Sequence, residues 1–292
     1  MTELINEKKL IEIFISCDDF DKMYEKWLKT HTIGLKVTTR KPDLSDSEIM
    51  TILIFYHWSG YKNFQYYYEQ LVEKTLVEYF PKIPTYHRFV ELISRQTIKL
   101  YVYLKVLTFL SKRTGNYFID SKKLPVCDNR RIHSNKVFEG FAKRGKSSTG
   151  WFYGLKIHLI INELGQIVNF MLTPASVADN NESLLKKMLK GLKGKCFGDK
   201  GYISKLFNYF YEQGLQLVHK IRGNMKNQLM YLNDKINLKK RALIESVNDI
   251  LMTVFDIEHT RHRSPINAIA HTFGALIAYC FYDEKPTVFI YK

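Results

Sequence analysis

Two short apolar runs that each end in one acidic residue constrain the fold of this chain most. Residues 117–120 form the first run and end at Asp120, and residues 195–199 form the second and end at Asp199. Apolar runs of this length are typical of buried β-strands, so each acid would stand at a strand end. An aspartate there is also a common turn residue, and neither acid alone identifies a site. The pair predicts two strands of one sheet that present their acids together.

The segments around these runs predict an α/β domain. Residues 117–126, 151–162 and 167–172 predict a meander of three antiparallel strands. The later elements predicted are a helix over 179–192, a strand over 195–198, a helix over 204–213, a strand over 215–221, a helix over about 236–256, and a last helix that starts at Ser264 and Pro265. This is the element order of an RNase-H-like domain, a mixed five-stranded sheet flanked by helices. Asp179 and Glu182 are interpreted as caps of the first of these helices.

The preceding part of the chain predicts helices alone. Ser45 and Glu48 have the spacing of a capping box, and a strongly apolar helix follows over 49–58. Residues 64–80 and 98–112 predict two more helices.

Thr85 is a candidate N-cap between those last two segments, after a turn rich in proline. A turn before a helix with a polar start is typical of DNA-binding helix-turn-helix units, and an all-helical scaffold without base contacts is the alternative. We therefore expect two domains, a helical DNA-binding or scaffold region at 1–115 and an RNase-H-like domain at 116–292.

The charge balance restricts the partners of the chain. It has 44 Lys and Arg against 29 Asp and Glu, which leaves a formal net charge of +15. The basic residues are spread along the sequence, so the positive surface is expected on folded elements and suits a polyanion such as nucleic acid. A basic protein that is merely soluble is the alternative.

Cysteine spacing and hydropathy point to a cytoplasmic protein. The four cysteines are far apart and have no CxxC spacing, which predicts reduced thiols instead of a zinc site or a disulfide framework. The first residues are charged and have no apolar leader pattern. Residues 266–282 lack Lys, Arg, Asp and Glu, but polar Asn267 and His271 share one face, which predicts an amphipathic core helix instead of a membrane span.

A third acid completes a set suited to metal ions. Glu245 lies in the helical run over about 236–256, and Asp249, one turn later, is its rival. Carboxylates are the ligands that Mg²⁺ and Mn²⁺ prefer, and two such ions can assist phosphoryl transfer. A glutamate in a helix usually faces solvent, so the alternative for Glu245 is a solvent-exposed surface residue. Three acids in a basic chain favour a phosphoryl-transfer site on DNA at Asp120, Asp199 and Glu245.

The segments around these acids resemble the three acidic motifs of DDE transposases of bacterial insertion sequences. The motifs are residues 117–121, 197–202 and 241–248, and residues 84–89 and 151–159 also resemble family segments. The resemblance covers essentially the full length, and within that group it is to insertion sequence family 982.

The resemblance implies an RNase-H-like, retroviral-integrase-like catalytic domain with two divalent ions, Mg²⁺ or Mn²⁺, on Asp120, Asp199 and Glu245. The implied activity is cleavage at transposon ends and strand transfer into target DNA. The implied partners are double-stranded DNA and further copies of the chain in a homodimer or larger assembly, with no membrane, in the cytoplasm and at the nucleoid when DNA is bound. An RNase-H-like nuclease without strand transfer and a non-catalytic DNA-binding or regulatory protein are the alternatives.

Arg241 and Glu245 also match part of a wider signature of related transposases, Tyr-x2-Arg-x3-Glu-x6-Lys. Leu238 and Met252 stand where that signature has Tyr and Lys, so the roles of those two residues are not carried over. Arg241 precedes Glu245 by one helical turn and is suited either to a DNA phosphate or to orienting the glutamate.

Basic residues in loops and on strands are the candidate DNA contacts. In the predicted sheet, Lys156 and His158 share a face beside Asp120; His158 is a second-tier site residue, with a satisfied sheet histidine as the alternative. The candidate contacts are Arg130, Arg131, Lys143, Arg144, Lys156, Lys200, Arg222, Lys226, Arg241, Arg261 and Arg263.

Overall fold

The computed structural model describes residues 6–31, 42–147, 150–202, 205–220, 230–258 and 262–290. The chain divides into two compact units. Unit 1 comprises Met1–Leu104, Thr253–Ile257 and Ile266–Phe281, and unit 2 comprises Lys105–Met252, Glu258–Pro265 and Tyr282–Lys292.

Unit 1 is helical. Its helices are α1 Glu7–His31, α2 Asp46–Trp58, α3 Phe64–Tyr67, most of α4 Tyr86–Leu110, and α9 Pro265–Cys280, numbered in chain order. The expected domain at 116–292 included α9, whereas the contacts of α9 place it in unit 1. The functional division at residue 115 stays a prediction.

Helix α2 is the buried centre of unit 1, and its start was predicted correctly. Ser45 Oγ accepts from the Glu48 backbone N–H at 3.1 Å, and Glu48 Oε2 accepts from the Ser45 N–H at 2.6 Å, which confirms the capping box. Every residue from Ile49 to His57 is buried. A β-carbon on Gly274 of α9 would lie 3.3 Å from side-chain atoms of Leu53 and His57, so glycine permits the close packing of the two helices.

Two helical predictions in unit 1 differ from the structure. The helix predicted over 64–80 is the short α3, followed by a π-helical turn at Tyr68–Val72 and a 3-10 turn at Leu76–Glu78. The helix predicted over 98–112 is the second half of α4, which begins directly after Thr85. Aromatic packing in this region, such as Tyr68 on Phe89 at 4.8 Å between ring centroids, overrides local helical periodicity.

Among the described residues, unit 2 contains the sheet and four complete helices. Its strands are β1 Asn116–Cys127, β2 Lys143–Ser147, β3 Gly150–Asn162, β4 Ile167–Pro174, β5 Gly194–Gly198 and β6 Leu215–His219. Its helices are α5 Glu182–Leu189, α6 Phe207–Glu212, α7 Leu232–Lys239 and α8 Ala242–Thr253. Short 3-10 turns occupy Asn129–Ser134 and Lys200–Tyr202.

The sheet has the predicted RNase-H-like order. Strands lie in the order β4-β3-β1-β5-β6; β3 is antiparallel to β1 and β4, and β5 is parallel to β1 and β6. Strand β2 pairs with the first residues of β3, beyond the end of β4. Residues of β1 and β5 pack with α5 and α6 on one face, in a cluster that includes Ile119, Leu185, Cys196 and Phe210.

The sheet was predicted to have five strands, but the described residues form six. Residues 143–147 were read as part of a basic loop, but they form β2. Lys143, Arg144 and Lys146 are exposed, so the strand lacks an alternating apolar pattern. Gly145 faces inward, where a β-carbon would lie 2.3 Å from the Ala175 carbonyl oxygen.

The single helix predicted over about 236–256 is two helices. Helix α7 ends at Lys239, and α8 begins at Ala242. The break places Arg241 at the junction instead of inside a continuous helix. Within the described part of the chain, no helix is long and apolar enough to cross a membrane.

A substitution at Gly154 tests the packing of the sheet. A β-carbon there would lie 2.1 Å from the Leu124 backbone oxygen. We expect Gly154→Ala to lower the unfolding free energy by about 1–3 kcal/mol, because the backbone of β1 must shift. Gly201→Ala is the control, since its nearest neighbour, Asp179 Oδ2, would be 3.8 Å away. Chemical denaturation measures both, and equal effects of the two substitutions would contradict the tight β1–β3 approach.

Candidate active site

The parallel pairing of β1 and β5 aligns two of the candidate acids. Phe118 pairs with Phe197, and continuing that register for two residues aligns Asp120 with Asp199. Gly198 lies close to β1, because a β-carbon there would be 3.1 Å from Ile119 Cγ2. The sheet therefore brings Asp120 beside Asp199, but only Asp199 follows the end of its strand, whereas Asp120 lies within β1 and not at the predicted strand end.

Helices α7 and α8 bring the third candidate acid to the same edge. The Asp234 side chain of α7 is 2% exposed and accepts from Lys195 Nζ of β5 at 2.5 Å. One side of α8 is buried through Leu243, Ile244 and Val247. The opposite side carries Glu245, whose side chain is 59% exposed. Lys195 thus anchors α7 to β5.

Arg241 lies between two of the three acids. Its Nη2 donates to Glu245 Oε1 at 2.6 Å, and its Nη1 lies 3.7 Å from Asp120 Oδ1. Asn248, one turn after Glu245, donates from Nδ2 to Asp120 Oδ2 at 3.2 Å. The Arg241 side chain is only 14% exposed. Arg241 therefore contacts both acids in this conformation, while its role stays a prediction.

The environment of Asp120 disfavours its charge. Burial raises the pKa of Asp120 to about 6, and the charges of Asp179 and Glu245 act in the same direction. The guanidinium of Arg241 and the backbone N–H of Ser121 oppose the shift. A nearby cation stabilises the charged form of a carboxyl that is buried near two other carboxyls.

Asp199 has a backbone hydrogen-bond partner in this conformation. Its Oδ1 accepts from the Lys200 backbone N–H at 2.7 Å. Among the described residues, one group of three acids has all its ligand oxygens within 4.8 Å of one another, namely Asp21, Glu25 and Asp46 in unit 1. Lys99 Nζ already bonds to all three of those acids. Asp120, Asp199 and Glu245 therefore share an edge without closing into a compact ligand set.

The donor set at this edge fits a divalent ion. All three acids offer carboxylate oxygens, the ligands that Mg²⁺ and Mn²⁺ prefer. Arg241 shows that a positive charge is accommodated between Asp120 and Glu245. The raised pKa of Asp120 has burial as its main cause, and a cation bound at the carboxylate would offset that cost.

Asp179 is a site residue that the sequence interpretation missed. It was read as a helix cap, but Asn181 caps α5 by accepting from the Leu184 N–H. Asp179 Oδ1 instead accepts from Ser121 Oγ at 2.9 Å and from Lys156 Nζ at 3.2 Å. It thereby ties the residue after Asp120 to β3. In the sequence, Asp179 is marked only by its position after Thr173 and Pro174, where a strand ends. A residue of an ordinary turn would have the same position.

The expectation that Lys156 and His158 lie beside Asp120 is wrong. In the β1–β3 register, Leu159 pairs with Asp120, while His158 pairs with Ser121. Directly paired residues share a face, so His158 and Lys156 lie on the face opposite Asp120. Lys156 is 8% exposed and donates to the Val177 carbonyl as well as to Asp179, so it is not presented to DNA in this conformation.

His158 has the surroundings of a sheet histidine. It is fully buried, and its Nε2 lies 2.9 Å from Thr173 Oγ1. Burial lowers the pKa of His158 well below its ordinary value, although the charge of Asp179 opposes the shift. The imidazole is therefore neutral near pH 7.

The remaining candidates are placed as follows. Asp249 is exposed one turn beyond Glu245 on α8. Six candidate DNA contacts are exposed, namely Arg130, Arg131, Lys143, Arg144, Lys200 and Arg263. Arg222, Lys226 and Arg261 lie outside the described residues.

The sequence profile of the transposase DDE domain matches residues 110–265, more than half of the chain. The chain belongs to the transposase DDE domain family. The matched residues of this DDE domain include Asp120, Asp199, Arg241 and Glu245. No curated protein matches the chain.

A solved transposase structure resembles the chain in fold. The piggyBac transposase in a synaptic complex with hairpin DNA has a TM-score of 0.51 at 10% identity, over 95% of this chain and 72% of that one. The Mos1 strand transfer complex has a TM-score of 0.22 at 10% identity, over 89% of this chain and 85% of that one. The mariner Mos1 paired end complex with Mg has a TM-score of 0.21 at 12% identity, over 91% and 88%. The first likeness shows a common fold, and the two lower scores establish nothing further.

The electrostatics of Asp120 predict a pH-dependent stability in the absence of metal. Its folded pKa of about 6 exceeds the unfolded value near 3.9, so the folded state binds more protons between these values. The stability contribution of Asp120 therefore falls as pH rises from about 4 to 6, by about 2–3 kcal/mol. We expect Asp120→Asn in EDTA to be about as stable as the parent near pH 4 and more stable at pH 7. Chemical denaturation at both pH values measures this, and a difference that is constant or shrinks with pH would contradict it.

The Asp179–Lys156 pair predicts a coupled loss of stability. We expect Asp179→Asn to lower the unfolding free energy by about 1–3 kcal/mol, because buried Lys156 loses its counter-charge. The double variant Asp179→Asn with Lys156→Met should recover most of that loss, since it removes the unpaired cation. Denaturation of both variants measures the coupling, and purely additive effects would show that the two side chains do not depend on each other.

Proposed function

We propose that this DDE domain chain is a DNA transposase that cleaves DNA at transposon ends and joins the freed strand to target DNA. The observation that carries the proposal is the arrangement of Arg241 between Asp120 and Glu245, with Asp199 aligned beside Asp120. Membership of the transposase DDE domain family supports it. The narrower assignment to insertion sequence family 982 is part of the proposal and rests on the sequence resemblance.

Asp120, Asp199 and Glu245 are proposed to hold two divalent ions, Mg²⁺ or Mn²⁺. Such ions, when bound, activate the attacking oxygen and stabilise the leaving oxygen of an in-line displacement at phosphorus. Cleavage by water and joining by a DNA 3′-hydroxyl are both displacements of this kind, so one set of acids serves both steps.

The surrounding residues orient the acids and contact the DNA. Arg241, at the α7–α8 junction, and Asn248 of α8 each contact one oxygen of Asp120. Lys200 is exposed directly after Asp199 and is suited to a phosphate of the DNA strand that lies at the acids. The net charge of +15 suits a long DNA footprint, as expected for a protein that handles both a transposon end and a target.

The assembly and location follow from the proposed reaction. Two transposon ends must be processed together, so we propose a homodimer or larger assembly on double-stranded DNA. The piggyBac relative in fold is a synaptic complex with hairpin DNA, which supports DNA as the partner. Such an enzyme acts on chromosomal DNA, so we propose that it is located in the cytoplasm and at the nucleoid.

Substitution of the three acids tests the proposal. We expect Asp120→Asn, Asp199→Asn and Glu245→Gln each to reduce cleavage of labelled end DNA in Mg²⁺ by at least about 100-fold, because each removes a charged metal ligand. Asp249→Asn is the control and should cleave like the parent. Mn²⁺ binding, followed by electron paramagnetic resonance of the free ion, should weaken in the same three variants.

A second assay separates the proposal from its alternatives. The parent chain should join a labelled transposon end to a plasmid. Cleavage without joining would indicate an RNase-H-like nuclease. DNA binding without cleavage in either Mg²⁺ or Mn²⁺ would indicate a regulatory DNA-binding protein.

A further inference from the structure

The β2–β3 hairpin presents an exposed tryptophan away from the candidate acids. Trp151 is 52% exposed at the start of β3. Lys146 pairs directly with it across the hairpin, and Arg144 lies two residues before Lys146 on the same face of β2. The Arg144 guanidinium is 5.1 Å from the centroid of the Trp151 ring, and Lys146 Nζ is 5.8 Å away. An aromatic ring and two cations thus form one exposed surface.

This surface is held in place from the other side of the hairpin. Phe152 is buried, and Gly145, opposite it, packs against Ala175 too closely for a β-carbon. Asn129 Nδ2 donates to the Trp151 carbonyl at 2.7 Å, which fixes the 3-10 turn Asn129–Ser134 against the hairpin. Trp151 is therefore presented on a supported strand instead of a loose loop.

The surroundings of Trp151 are strongly basic. Five cations of the hairpin and the adjoining 3-10 turn are exposed, and none of them forms an ion pair with a described carboxylate; they are Arg130, Arg131, Lys143, Arg144 and Lys146. The nearest acid in sequence, Asp128, accepts from the Arg130 backbone N–H at 2.9 Å as a cap. A surface with this excess of charge suits a polyanion.

We propose that Trp151, Arg144 and Lys146 form a stacking site for an unpaired nucleobase of single-stranded DNA, with the neighbouring cations on the flanking phosphates. Proteins bind single strands by this combination of stacking rings and a basic track. A paired duplex satisfies the cations but offers no free base face to the ring, so the exposed tryptophan distinguishes the two ligands. The identification of the bound single strand as DNA rests on the proposed function.

Trp27 provides a matched control. It is 53% exposed on α1 in unit 1, and its ring stacks on Tyr24 and His31 instead of on a lysine or arginine of the described residues. Trp151 and Trp27 therefore have nearly equal exposure and different surroundings.

The test is equilibrium binding of the full chain to three probes in EDTA, where no cleavage occurs. The probes are a blunt DNA duplex, the same duplex with a single-stranded overhang, and a single-stranded oligonucleotide. We expect Trp151→Ala to weaken binding of the two probes with unpaired bases by about 10-fold and to leave the blunt duplex unchanged. Trp151→Phe should retain most of the affinity, and Trp27→Ala all of it.

Tryptophan fluorescence adds a readout that does not depend on a disruptive variant. The oligonucleotide should quench the emission of the parent and of Trp27→Phe, and much less that of Trp151→Phe. Equal losses of affinity for all three probes in Trp151→Ala, or unchanged quenching in Trp151→Phe, would overturn the stacking site. Tighter binding of RNA of the same sequence would overturn DNA as the ligand.

The two proposals fail separately. Loss of cleavage in the acid variants together with no effect at Trp151 would refute the stacking site alone. A probe-specific effect at Trp151 together with cleavage that is independent of Asp120, Asp199 and Glu245 would refute the active site alone.

Discussion

The site depends on the positive charge of Arg241 between Asp120 and Glu245. Carboxylates brought together at a partly buried position repel each other and lose solvation, so such an arrangement requires a cation. The guanidinium bonds to Glu245 at 2.6 Å and lies 3.7 Å from Asp120, and it opposes the rise in the pKa of Asp120. The break between α7 and α8 places Arg241 at the junction of the two helices, where its side chain reaches both acids. The carboxylate donors at this edge are of the kind that a divalent ion prefers.

The rest of unit 2 positions these charges. Parallel pairing of β1 with β5 directs Asp120 and Asp199 to the same part of the sheet, and the ion pair between Lys195 and buried Asp234 attaches α7 to β5. On the opposite face of the sheet, Asp179 links Ser121 to Lys156 and fixes β1 directly beyond Asp120. Backbone register and ion pairs away from Asp120 and Glu245 thus add to the contacts of Arg241 in positioning the acids.

Much of this arrangement is readable from sequence because its signals are local. The capping box of Ser45 and Glu48, the apolar start of β1 and the short strand before Asp199 each depend on neighbouring residues, and the structure has these elements. Asp120 lies within β1 and not at its end. The element order gave the RNase-H-like sheet for the same reason. Local sequence patterns do not predict contacts between residues that are distant in sequence. Strand β2 has a basic exposed face and a glycine on its inner face, so no apolar alternation marks it. The role of Asp179 depends on Ser121 and Lys156, which are distant in sequence.

The central claim is that Asp120, Asp199 and Glu245 together hold the metal ions. Crystals of the full chain grown with Mn²⁺, and with end DNA where it binds, allow the ions to be located by anomalous scattering. The account predicts anomalous peaks bounded by the carboxylates of these three acids. Peaks only at the Asp21, Glu25 and Asp46 cluster, or no peak between Asp120 and Asp199, would contradict it.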